Sequence, residues 1–236
     1  LPYIQKFSKK ICIVKYGGAA MIEESLKNSF ARDITLMKQV GINVAVVHGG
    51  GPQIDKELEK SNIKRNFIDG IRVTDKETIE IVSNTLDGII NKEIVDLINK
   101  NGGNSIGVAK DKKGTISVQK LTTENIDYGY VGEVVNVNSN YLYELMNSNY
   151  IPVIAPLGYD SSGQIYNINA DTAASQIASH LSAEKLIFLT DTQGVNDDKG
   201  NLISTLNSKE IKNFIESDII RGGMLPKINA SLEAVS

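Results

Sequence analysis

The chain has 236 residues, 41% of them hydrophobic and 22% charged, with a formal net charge of −3; this suits a globular protein with one large α/β domain or two modest lobes. The slight acidity, with no Lys/Arg cluster interleaved with aromatics, argues against nucleic acid as the main partner, and no apolar run is long enough to span a membrane. A single cysteine, Cys12, excludes an internal disulfide framework and points to a reducing compartment, and the two histidines, His48 and His180, form no zinc spacing, so no metal ligands are assigned.

In chain order, 11–15 reads as a short apolar strand in which Cys12 belongs to the core rather than to chemistry. A helix follows over 23–40, with Leu26, Phe30, Ile34 and Met37 on one stripe and Gly41 ending it. Residues 43–47 read as a strand buried on both faces, running into His48-Gly49-Gly50-Gly51, with Pro52 opening a helix to Lys60. This β-α-β-α opening predicts a parallel sheet covered by helices. Thr74-Asp75-Lys76-Glu77 reads as a capping box for a long helix carrying Ile79, Val82, Leu86, Ile90, Ile94 and Ile98, which Asn101-Gly102-Gly103 stops. Beyond it, 106–109 is a strand, 116–119 and 130–137 form an antiparallel pair, 141–146 is helical and 151–155 is a strand. A turn-rich hairpin over 158–164, a helix over 170–181 that ends near His180, a strand over 186–190, a helix over 208–216 and a last helix after Arg221-Gly222-Gly223 complete the reading. A soft lobe boundary falls near residue 182, giving lobes of 1–182 and 183–236. The chain starts without Met and stops inside a helical pattern, so we expect an incomplete C-terminal lobe.

Candidate chemistry gathers at strand ends and helix starts, where open α/β sheets place their ligands. Lys15-Tyr16-Gly17-Gly18 sets a cation beside exposed backbone N–H groups, a phosphate-binding combination. The His48–Gly51 stretch offers a second anion cradle at a helix N-terminus. Asn167, Asn169 and Asp171 alternate toward one side before the 170–181 helix, more small polar groups than a helix cap needs. Lys227 lies in the first turns of the last helix, where a cation opposes the dipole unless an anion sits between them. Two lysines and several glycine loops suit phosphoryl transfer, in which positioning and charge stabilisation do most of the work. Neither a Walker A loop nor a Gly-x-Gly-x-x-Gly fingerprint is present.

These residues resemble the N-acetylglutamate kinase family of the amino-acid kinase (carbamate kinase-like) superfamily. The motifs run in order over essentially the whole chain: Lys15–Met21, His48–Pro52, Gly70–Thr74, Asn167–Asp171, Thr190–Val195 and Gly222–Lys227. The resemblance implies an α/β fold, an αβα three-layer sandwich with a mostly parallel open sheet and two lobes. The first lobe would bind N-acetyl-L-glutamate and carry a homodimer contact; the second would bind ATP, with Mg2+ carried on the nucleotide phosphates. Transfer of the γ-phosphoryl group to the side-chain carboxylate would make an acyl phosphate for arginine synthesis. It further implies that Lys15 and Lys227 stabilise the transferring group, that Asp171 holds both lysines, and that Gly17, Gly18 and Gly50 donate N–H groups. Gly50, Gly51, Asn167 and Asn169 would contact the substrate, and Arg72 would fork onto its α-carboxylate. Thr190, Asp191, Gly194, Val195, Ile219, Ile220 and Arg221 would line the nucleotide site. Gly70-Ile71-Arg72-Val73-Thr74 favours N-acetylglutamate over the substrates of glutamate 5-kinase or uridylate kinase. The N-terminal wording resembles the arginine-inhibited branch, in which dimers join as a hexamer and, in photosynthetic members, a PII-type signalling protein relieves inhibition. The compartment is expected to be the cytoplasm, or a plastid stroma on the strength of the Ile-, Asn- and Lys-rich composition.

Overall fold

A computed structural model describes residues 2–109, 114–197, 199–220 and 224–234. After a short helix α1 (Pro2–Phe7), strand β1 (Ile11–Tyr16), helix α2 (Glu24–Gln39), strand β2 (Asn43–His48) and helix α3 (Gly51–Lys60) alternate as the apolar pattern predicts. A hairpin of β3 (Phe67–Ile68) and β4 (Ile71–Arg72) leads into α4 (Lys76–Ser83), a π-helical stretch over Asn84–Asn91, and α5 (Lys92–Lys100). Then come β5 (Ser105–Val108), β6 (Ile116–Thr122), β7 (Asp127–Val137), α6 (Ser139–Asn147), β8 (Ile151–Ile154), β9 (Leu157–Tyr159), β10 (Ile165–Asn167), α7 (Ala170–His180), β11 (Lys185–Phe188), α8 (Ser208–Glu216) and α9 (Met224–Ala234).

The central sheet has the order β11-β1-β2-β8-β5, and all four of its pairings are parallel. Its inner strands are unbroken apolar runs because both faces are covered. Period-two alternation divides them cleanly. Val14, Tyr16, Val44 and Val46 face a core completed by Phe30, Ile34, Leu58, Leu86 and Ile98, from α2, α3 and the long helix. Ile13, Ala45 and Val47 face the opposite core, with Leu142, Met146, Ala174 and Ile177 from α6 and α7. The result is the αβα sandwich. A third, smaller cluster joins Ile211, Ile220 and Ile228 from α8, α9 and the loop between them. Because β11 pairs with β1, residues on both sides of position 182 share one sheet.

Three features depart from the pattern-based reading. First, β10-β7-β6-β9 close into a small barrel; strands of three residues carry too little alternation to announce it. Second, the cap of α4 is Asp75, whose side chain accepts from the Thr78 N–H, and not Thr74. Thr74 is fully buried, and its hydroxyl donates to the Arg72 carbonyl at 2.9 Å instead. Third, the long helix widens into π geometry, a form found mostly as single turns within α-helices and often at functional sites. That stretch ends on Asn91, which is buried beside His48 at the end of β2.

His48 is 0% exposed, with Nδ1 2.8 Å from the Gly49 carbonyl and Nε2 3.2 Å from Asn91 Nδ2. A carbonyl only accepts, so Nδ1 carries the proton and Nε2 accepts from Asn91, which also donates to the Val153 carbonyl at 2.8 Å. Burial pulls the His48 pKa down to about 4, against the weaker upward pull of the hydrogen bond to Gly49. The folded protein therefore holds a neutral imidazole. Its stability contribution is complete above the unfolded pKa near 6.5 and is lost as pH falls toward 4, by roughly 3 kcal/mol in all. Urea unfolding between pH 7 and pH 5 should show stability declining with acidity, and His48→Gln should flatten that decline; identical slopes in the two proteins would contradict the assignment.

Candidate active site

The alternation that builds the sheet also aims the site. Ile11, Ile13 and Lys15 share the face of β1 that α7 covers, so Lys15, last but one in the strand, points toward the start of α7. Asn169 caps α7 by accepting from the N–H groups of Asp171 and Thr172, at 2.9 and 3.1 Å. This fixes Asp171 in the first helical turn. Its Oδ1 lies 3.1 Å from Lys15 Nζ and its Oδ2 accepts from Lys227 Nζ at 2.9 Å. The Asp171 and Lys15 side chains are each only 10% exposed. Lys227 is brought in by α9, which packs on the small residues of α7; the Ser175 hydroxyl donates to the Ala230 carbonyl at 2.7 Å. Burial alone would raise the Asp171 pKa, yet the charge of Lys15 and the hydrogen bond and charge of Lys227 outweigh it and hold it below the ordinary carboxylate value. Two ammonium groups against one carboxylate leave a surplus positive charge, which favours an anionic ligand.

Two cavities meet at this triad. The first, about 370 Å³, is lined by Lys15, Gly17, Gly18, Gly50, Gly51, Arg72, Asn167, Asn169 and Asp171, so the strand-end, glycine and Asn/Asp candidates come together as the sequence suggests. Asn167 Nδ2 donates to the Thr74 hydroxyl at 3.4 Å. The second cavity, about 580 Å³, is lined by Gly17, Thr190, Asp191, Gly194, Val195 and Lys227. Ile219 and Ile220 do not line it; Ile220 is 2% exposed in the third core. Arg221, Gly222 and Gly223 lie outside the described residues.

Three of the site glycines, Gly17, Gly18 and Gly50, sit in crowded places. A Cβ on Gly17 would stand 2.5 Å from Lys15 Nζ, and one on Gly18, at φ +68°, would collide with the Asp191 carboxylate. That carboxylate accepts from the Ala19 N–H at 2.6 Å and ties the loop of the second cavity to the end of β1. A Cβ on Gly50 would meet Ile90 Cδ1 at 2.6 Å and Leu86 Cδ2 at 2.8 Å, both from the π-helical stretch.

Asp55 of α3 and Phe67 of β3 also line the first cavity, and neither stood out in the sequence. Asp55 Oδ1 is 2.6 Å from Arg72 Nη2. The two-fold fork expected of Arg72 is therefore half taken within the protein. Phe67 pairs across the hairpin with Arg72, whose guanidinium lies 4.5 Å from the ring centroid. The Asp69-Gly70 turn, with both φ values positive, was the one sequence signal for this hairpin.

Residues 10–236 match the family model described as the amino acid kinase family. This chain belongs to the amino acid kinase family. An acetylglutamate kinase of Campylobacter curvus is 52% identical over 235 residues, covering all of this chain and 83% of that protein. One of Aquifex aeolicus is 47% identical over 249 residues, covering all of this chain and 84% of that protein. The crystal structure of smu.665 from Streptococcus mutans UA159 superposes with a TM-score of 0.86 at 32% identity, covering 96% of this chain and 91% of that one. As a member of the amino acid kinase family the chain is a phosphotransferase, and the two cavities meeting at Lys15, Asp171 and Lys227 are the place its geometry offers for that chemistry.

In this amino acid kinase the Gly50 crowding is testable. Gly50→Ala should destabilise the fold by about 1–3 kcal/mol through overpacking. Combined with Leu86→Ala, which opens space at the contact, the total loss in urea unfolding should fall below the sum of the single losses. Strict additivity would show that the loop is not seated on the π-helical stretch.

Proposed function

We propose that the chain transfers the γ-phosphoryl group of ATP to the side-chain carboxylate of N-acetyl-L-glutamate, giving N-acetyl-L-glutamyl 5-phosphate. The observation that carries this reading is the single buried carboxylate of Asp171, shared by one lysine from each cavity. The first cavity, lined within residues 1–182, would hold the amino-acid substrate, and the second, lined by Gly17, Ala19, Ala20 and Leu26 together with residues of 183–236, would hold the nucleotide. The near relatives named acetylglutamate kinase support this choice of substrate within the family.

The chemistry asks little covalent work of the protein. The attacking carboxylate is already ionised at neutral pH, so no general base is needed and Asp171 serves to hold the lysines. Lys15 and Lys227 would meet the charge that develops on the transferring group, with N–H groups of Gly17, Gly18 and Gly50 adding fixed dipoles. Among the described residues no cluster of three or more His, Cys, Asp or Glu side chains is placed to hold a metal ion. Mg2+ would be held chiefly by the nucleotide phosphates, which it typically bridges. Arg72 would meet the α-carboxylate while Asn167 and Asn169 meet the amide region. The assembly expected is a homodimer, with a hexamer built of dimers belonging to the arginine-inhibited branch of the family and a PII-type partner to its photosynthetic members.

An ADP-release assay with N-acetylglutamate, glutamate and aspartate should give turnover with N-acetylglutamate alone, and equal turnover of aspartate would overturn the substrate assignment. In the same assay Lys15→Ala and Lys227→Ala should each lower kcat by about 10²-fold or more with little change in KM, the size expected for losing one charge-stabilising donor. A Lys227→Ala variant altered only in KM for ATP would remove that lysine from the transferring group.

A further inference from the structure

Arg72 is a buried cation, 7% exposed, and its surroundings account for only part of its donor set. Nη2 lies 2.6 Å from Asp55 Oδ1 and donates to the Gly51 carbonyl at 3.4 Å. One face of the guanidinium rests over Phe67. Nη1 is buried without a hydrogen-bond partner. A buried donor left without an acceptor costs about 1–3 kcal/mol, more when charged, and Arg72 lines the first cavity, so its guanidinium keeps donor capacity for a ligand acceptor there. Asp55 is itself held from outside by Arg65, whose Nη1 lies 3.3 Å from Asp55 Oδ2 on a side chain that is 70% exposed. The contact between Asp55 Oδ1 and Arg72 lacks hydrogen-bond alignment, so it is an ion pair that restrains the guanidinium through charge.

We infer that Asp55 is a positioning residue for substrate selection: with Phe67 it fixes the plane of the Arg72 guanidinium and engages Nη2, so that the remaining donor capacity of Arg72 serves a carboxylate in the first cavity. This rests on the substrate reading given above. Guanidinium recognition of a carboxylate is planar and directional, so an arginine free to rotate loses part of its selectivity before any contact is lost. The role acts through Arg72 and not on the transferring phosphoryl group, which places its effect on amino-acid binding rather than on the rate of transfer.

The test is a calorimetric titration of the whole protein with N-acetylglutamate, alongside steady-state kinetics. Asp55→Asn keeps the shape and removes the charge. It should weaken N-acetylglutamate about tenfold, on the order of one aligned charge-assisted hydrogen bond, while kcat at saturation and KM for ATP change by less than about twofold. In an Arg72→Lys background, where no planar group remains to be oriented, Asp55→Asn should have little further effect. A merely structural role would lower thermal stability and raise both KM values together, and would persist unchanged beside Arg72→Lys; either outcome overturns the inference. Should Asp55→Asn yield no folded protein, Phe67→Leu at its half-exposed position serves instead, with weaker N-acetylglutamate binding expected and unchanged binding contradicting it. If the unaltered protein binds N-acetylglutamate but Asp55→Asn binds it equally well, only the role of Asp55 falls. If the unaltered protein binds none, the substrate reading falls and this inference with it.

Discussion

The carboxylate of Asp171 sits at the meeting point of three elements that the chain brings together from far apart. Its two oxygens engage Lys15 from β1 and Lys227 from α9, while its own place is set by the Asn169 cap of α7. Burying a carboxylate is unfavourable unless it is paired, and here the two cations outweigh the desolvation. The arrangement therefore depends on all three members. The covering elements follow from this. The small residues Ala173, Ala174 and Ser175 let α7 lie close to the sheet on one side and to α9 on the other.

Around that pair the glycine loops are shaped by what crowds them. Gly17 gives the Lys15 ammonium room against the backbone, Gly18 gives room to Asp191, and Gly50 lies on Leu86 and Ile90. The last contact links the loop to the π-helical stretch, and Asn91 at its end locks the neutral His48 beneath the same loop. The second glycine loop is thus held from below by a buried polar network and from one side by apolar side chains. Such buried polar networks favour one arrangement of the backbone over its neighbours.

The parallel sheet was legible because residues 11–14, 44–47 and 151–154 form unbroken apolar runs of the kind that a doubly covered strand carries. Lys15, the glycines and the Asn/Asp run of the site were legible because each sits where a buried strand or helix start makes its residue type hard to account for by packing alone; Arg72 came only from the family resemblance. The small barrel was not legible, since β9 and β10 are three residues long and are defined by pairing rather than by pattern. Thr74 took the place of Asp75 in the expected cap because sequence spacing does not reveal that Thr74 is buried and bonded to Arg72. Asp55 was missed because its partner comes from a hairpin that meets α3 only in the folded chain. Ile220 belongs to the third core, a tertiary outcome that no local pattern separates from a loop lining a nucleotide.

The central claim is that Asp171 makes one unit of the two lysines around the transferring group. The most direct measurement is calorimetric binding of Mg2+ and ADP, alone and with N-acetylglutamate and aluminium fluoride as a mimic of the phosphoryl group in transfer. The account predicts that Asp171→Asn binds Mg2+ and ADP about as well as the unaltered protein but loses most of the tightening that fluoride confers, by about 10²-fold or more. An Asp171→Asn protein that keeps the full fluoride-dependent tightening would contradict it.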